Sequence, residues 1–203
     1  MSRDGLARVL CIAGLGLLSV IGCAAAGPRV TVAYKYYPVD GTTALELMRN
    51  LHLHGPNVSG EGAYAVTNSE FTQAGAVVAG TSCRIPRYTI GVKFTILLPA
   101  AQDVPEASPR VRKAWRSFYN FVKAHEEKHK SIWIGCVSAM QAKVRALRAA
   151  TCDALASRID AVLVKEQSAC HRKHAAFDRS ERSRLKAQPL IQQALRALKA
   201  SGS

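Results

Sequence analysis

The sequence predicts an α+β protein: a small, mostly antiparallel sheet with one short helix, then a long helical hairpin and a C-terminal helix. Three observations predict it. Residues 88–98 alternate, with Ile90, Val92, Phe94, Ile96 and Leu98 on one side and Thr89, Gly91, Lys93 and Thr95 on the other. That is the period of a strand with one wet face. Residues 110–150 carry Trp115, Phe118, Val122, Ile132, Cys136, Met140 and Val144 at three- and four-residue steps, and no Gly or Pro falls between Arg110 and Ile134. This is the stripe of a long amphipathic helix. Charge divides at the same place: residues 1–109 hold eight Lys/Arg against seven Asp/Glu and residues 110–203 hold twenty against seven, so +13 of the net +14 belongs to the helical part.

The chain opens on a polar segment with Arg3 and Arg8, an apolar run over 10–21 and small residues over 22–27. The run is too short for a membrane span and reads as a secretory signal. Val20-Ile21-Gly22-Cys23 is similar to a bacterial lipobox, which would end the signal at residue 22 and make Cys23 the lipidated first residue; Ala24-Ala25-Ala26 instead allows an ordinary cleavage after residue 26. Either exit puts residues 27–203 outside the cytoplasm, in the periplasm or as a membrane-anchored lipoprotein of a bacterial envelope, with enough length for a single domain.

Within that domain, Val30, Val32, Tyr34 and Tyr36 alternate as in a half-buried strand over 29–37. A turn at 38–41 leads to a short helix ending near residue 50, in which Thr43 and Glu46 have the spacing of a capping box. Residues 55–62 are rich in turn formers, and strand character returns around Tyr64, Val66 and Phe71 before the alternating run of 88–98. Pro99 to Pro109 reads as a loop, and the helices are expected at 110–150, 153–176 and 189–199.

Cys11 and Cys23 belong to the signal, which leaves Cys83, Cys136, Cys152 and Cys170, an even number that predicts two disulfides in an oxidising compartment. Thr151-Cys152-Asp153 is the best capping break in the helical part. If two antiparallel helices meet there, Cys136 and Cys170 stand nearly equidistant from the turn and pair, leaving Cys83 for Cys152. No C-x-x-C spacing supports a cysteine metal site.

Inside the first long helix lies His125-Glu126-Glu127-Lys128-His129, an H-E-x-x-H motif. Histidines four apart share one helical face and can present two imidazoles to one Zn2+, while Glu126 is placed to act as general base toward water. That combination is the chemistry of metal-assisted peptide hydrolysis. The basic helices also suit an anionic partner such as an envelope component. Nucleic acid is not expected, because the chain is exported and no stacking aromatics interleave with the charges.

Tyr37-Pro38-Val39-x-Gly41-x-Thr43 with Glu46-Leu47 and Gly55-Pro56, the Cys83 and Leu98-Pro99 region, the Trp115–His129 helix and Cys152 resemble, in that order, a family of bacterial predicted secreted zinc-dependent proteases, formerly a domain of unknown function. The resemblance spans residues 30–185 and implies an α+β fold and a zinc-dependent metallopeptidase acting on an unspecified peptide or protein, with His125, His129 and Glu126 at the site. One departure matters. Where the family pattern is Tyr-Asp-x-x-Thr-x-His-Gly, this chain has Phe177-Asp178-Arg179-Ser180-Glu181-Arg182-Ser183-Arg184, so Ser183 replaces a histidine.

A catalytic zinc takes three protein ligands. In the antiparallel hairpin, positions opposite one another sum to about 306, which sets His129 against residue 177 and His125 against 181. Asp178 is then the best-placed third ligand, with His174 or Glu181 instead as the alternatives. Without a working third ligand, the chain would be a catalytically degenerate envelope protein that binds an anionic partner through its basic helices.

Overall fold

The computed structural model describes residues 27–58 and 60–201; the signal and Cys23 lie outside them. Strand β1 (Arg29–Val39) leads into helix α1 (Ala44–His54), and a small hairpin of β2 (Asn57–Val58) and β3 (Glu61–Gly62) follows. Then come β4 (Val66–Ala74), β5 (Thr89–Ala101), a 3-10 turn at Val104–Glu106 and the helices α2 (Pro109–Ala146), α3 (Cys152–Lys186) and α4 (Pro189–Ser201). The fold is α+β, with a small sheet preceding a helical hairpin.

The main sheet has the order β1-β5-β4. β4 runs antiparallel to β5 from Val66 opposite Leu97 to Ala74 opposite Thr89. β1 pairs with the other side of β5 in parallel, from Arg29 opposite Gly91 to Val39 opposite Ala101. The chain between them, α1 included, is long enough for the crossover that a parallel pair needs.

Ile90, Val92, Phe94, Ile96 and Leu98 are all buried, as the alternation predicts. β5 continues through Pro99 to Ala101, where a loop was expected. β4 stops pairing at Leu97, so at Pro99 the strand has one neighbour only, and a missing N–H is tolerated there. β1 is an edge strand: Val30, Val32, Tyr34 and Tyr36 remain 37–56% exposed, while Tyr37 and Val39 enter the core.

Two hydrophobic clusters meet along α2. The first joins α1, α4 and the ends of β1 and β5 to Trp115, Phe118 and Val122. The second packs the start of β5 against Trp133, Cys136, Val137, Met140 and Val144, with Cys170 from α3. The buried stripe of α2 passes from Val122 to Trp133 through Glu126, a carboxylate in a core position.

The disulfides are Cys83–Cys152, with Cα atoms 5.1 Å apart, and Cys136–Cys170, at 5.9 Å, the pairs expected from the antiparallel hairpin. They fit an oxidising compartment outside the cytoplasm. Among the described residues no helix is long and apolar enough to cross a membrane. The helix starts follow their caps: Thr43 and Glu46 form a reciprocal capping box, Ser108 precedes a Pro at the first position of α2, and Thr151 accepts from Ala154 N–H.

The second helix is longer than expected. α3 runs ten residues beyond the expected end at 176, to Lys186. Residues 179–184 lack an apolar stripe, but they are good helix formers, apart from two serines, and meet no Gly or Pro until Pro189.

Gly41 turns the chain from β1 into α1 at φ +127°, and a Cβ there would stand 2.6 Å from Glu46 Cβ and 3.2 Å from Leu47 N. Gly41→Ala is therefore expected to destabilise the protein by roughly 2–3 kcal/mol. A denaturant midpoint equal to that of the parent would refute this.

Candidate metal centre

α2 and α3 lie antiparallel, and three donor atoms converge between them. His125 and His129 are four apart on α2 and project from one face. Their Nε2 atoms are 3.0 Å apart. Asp178 Oδ1, from α3, stands 2.9 Å from His129 Nε2 and 3.2 Å from His125 Nε2. Donors bound at zinc distances in tetrahedral geometry are separated by about 3.3 Å. The triplet thus has the spacing and the donor chemistry, two imidazoles and a carboxylate, of a three-residue zinc site. It is also the group among the described residues that meets the geometric requirement for a cation.

Aromatic rings hold the imidazoles in place. Phe177 stacks on His125 at 4.7 Å, and Phe121 flanks the same ring at 6.3 Å. His129 Nδ1 lies 2.7 Å from His174 Nδ1. Its Nε2 is thereby turned toward Asp178, the arrangement by which outer groups orient a metal-binding imidazole. His174 thus meets His129 Nδ1 and not the Nε2 that converges with His125 and Asp178, and its ring rests on Trp133 at 4.9 Å.

Glu181 lines the same cavity but its carboxylate accepts from Arg184 Nη1 at 2.8 and 2.9 Å. Ser183 is exposed. Burial lowers the pKa of His125, His129 and His174, the last to about 4, so each imidazole is neutral near neutral pH, as metal binding requires.

The two adjacent glutamates have separate fates. Glu127 takes the Tyr34 hydroxyl and Lys130 as partners, on the side of β1. Glu126 is only 5% exposed, and its Oε2 accepts from Thr67 Oγ1 at 2.8 Å. The same hydroxyl lies 3.1 Å from the Glu126 carbonyl. Burial, opposed by the Thr67 hydrogen bond and reinforced by the nearby Asp178 charge, pushes the Glu126 carboxyl up to about 7, the range of a useful general base. Thr67 and Phe177 are the participants that sequence reasoning missed. Thr67 carries no motif, since its role comes from β4 lying beside α2.

His125, Glu126, His129, His174, Asp178 and Thr67 face a cavity of about 520 Å3. Its walls are the β3–β4 segment (Tyr64, Ala65, Val66) on one side and Phe121, Val122 and Leu185 on the other. A family model described as a bacterial protein of unknown function (DUF922) matches residues 34–184. The chain belongs to this family. The DUF922 region includes His125, Glu126, His129, His174, Asp178 and all four disulfide cysteines, so the match spans both the strand and the helical parts. The family description names no activity. No curated protein matches the chain, and no solved structure does.

Proposed function

We propose that this DUF922 member is an exported zinc-dependent peptidase, with His125, His129 and Asp178 as the metal ligands and Glu126 as the general base. The observation that carries this reading is the convergence of three donor atoms from two helices beside a buried carboxylate in an open cavity. Zinc at such a site supplies Lewis acidity toward a carbonyl and toward water. Glu126 takes the proton of the attacking water and passes it to the leaving nitrogen. Thr67 fixes the carboxylate on the cavity side, and His174 fixes the tautomer of His129.

An extended peptide suits the cavity because β4 is the edge strand beside it, with its outer backbone groups available to a further strand. The Ser183 substitution motivates the degenerate alternative. Asp178 meets that objection by supplying a carboxylate where a third ligand is needed. The proposed location is the periplasm, or its membrane face if Cys23 is acylated.

The test is metal content by elemental analysis together with chelator competition. The parent should carry about one zinc per chain. Asp178→Ala and His129→Ala should each weaken zinc binding by more than about 100-fold, beyond the 10–100-fold typical of outer-shell partners. Zinc retained equally by both variants would reject the site.

A further inference from the structure

A second concave surface lies away from the metal centre. α1 and α4 pack side by side and leave a groove of about 450 Å3 lined by Leu45, Met48, Leu53, Ile191, Leu195 and Leu198. Leu53 is 73% exposed, Leu198 52% and Leu195 47%. The opposite side of α4 is anchored, since Leu190 and Ala194 are buried in the first core cluster. Leu53, Leu195 and Leu198 are not among the residues that build this cluster. Three leucines on one face are more than scattered surface apolar residues explain.

The formal charge that lines this groove is positive, with the exposed Glu46 one turn before Arg49 on α1. Arg49 lines the groove, and no Asp or Glu is among its lining residues. On the α4 helical wheel Lys199 and Arg196 follow Leu195 and Leu198 toward the outside. From Arg182 to the end of the chain there are five Lys/Arg and no acidic residue.

We infer that the α1–α4 face docks on an anionic lipid surface, with Leu53, Leu195 and Leu198 entering the headgroup boundary and Arg49 and Arg196 meeting lipid phosphates. This is the pattern of an interfacial helix: an apolar stripe with cations at its margin. A second copy of the chain is a poorer occupant, because a twofold contact would bring the arginines of one copy's face toward the same set on the other. The net charge of +14 adds long-range attraction to the same kind of surface. The inference does not depend on the peptidase reading.

The experiment is vesicle flotation of the full chain with phosphatidylglycerol/phosphatidylcholine or pure phosphatidylcholine vesicles, at low and high salt. Two double variants in the same background, Leu195→Gln with Leu198→Gln and Arg49→Gln with Arg196→Gln, keep any contribution of the expected signal segment constant. Thermal melting of each variant establishes that it is folded. Binding should require phosphatidylglycerol, weaken with salt, and fall by more than about tenfold in each folded variant. Equal binding to both vesicles, or binding unchanged in the variants, would show attachment through the expected signal segment alone and overturn the inference. So would a concentration-dependent dimer that the leucine variant abolishes, since the face would then be a self-contact.

Discussion

Replacing Glu126 by Gln is expected to leave zinc bound, to lower peptide hydrolysis by about 10²–10⁴-fold, and to stabilise the metal-free protein at pH 8 by roughly 3 kcal/mol. The first two effects follow from its role: Gln cannot take a proton, and Glu126 is not among the three converging ligands. The third follows from its burial. The Glu126 carboxyl is raised from 4.5 to about 7 in the fold. Between these values the native state holds a proton that the unfolded chain has released, so stability falls as pH rises from about 4.5 to 7 and is flat above. The Gln variant lacks this loss and keeps Thr67 Oγ1 paired through its amide oxygen. Denaturant titrations in chelator at pH 4.5 and pH 8 measure the difference; parent and variant should nearly coincide at the lower pH and separate at the higher. Undiminished hydrolysis by the variant would remove Glu126 from the mechanism.

Opening the Cys136–Cys170 disulfide should cost about 4 kcal/mol of stability, from the chain entropy of its 34-residue separation. It should also weaken zinc binding by more than about tenfold. Cys136 lies about two turns past His129 on α2, and Cys170 about two turns before Asp178 on α3. The bond therefore fixes the register in which Asp178 faces both imidazoles. A slide of one residue, about 1.5 Å with a 100° change of face, would remove Asp178 from the triplet. Cys83–Cys152, separated by 69 residues and placed at the far turn of the hairpin, is the control. Its removal should cost a similar amount of stability and leave zinc affinity nearly unchanged in the folded fraction. Chelator competition on Cys136→Ser/Cys170→Ser and Cys83→Ser/Cys152→Ser separates the two. Equal zinc affinity in both would mean that packing alone sets the register.

Much of this architecture is legible in the residues, because the signals are local. The period of two in β5 and the three- and four-residue steps of α2 each follow from one face being buried. The capping break at Thr151 fixes where the hairpin turns, and the disulfide pairs follow from it. What depends on pairing at a distance is not legible. Nothing local tells β1 to lie parallel to β5, or Pro99 to remain in a strand. The polar continuation of α3 is invisible to hydrophobic periodicity, although it carries Asp178 and Glu181 on a helix rather than in a loop. The H-E-x-x-H motif marks two of the three converging donor atoms and the buried carboxylate. Thr67 beside Glu126 and His174 behind His129 arise only when β4 and α3 close over α2.

The disulfide beside the triplet also bears on where the protein can act. Asp178 is synthesised well after the two histidines, and the bond that holds it opposite them forms only where thiols are oxidised. In the reducing interior of the cell, a newly made chain would have its proposed zinc ligands on two helices free to slip against each other. On the proposed reading, hydrolytic capacity arises after export, when oxidation locks the helices together. A peptidase built this way spares the cytoplasm without needing an inhibitory segment.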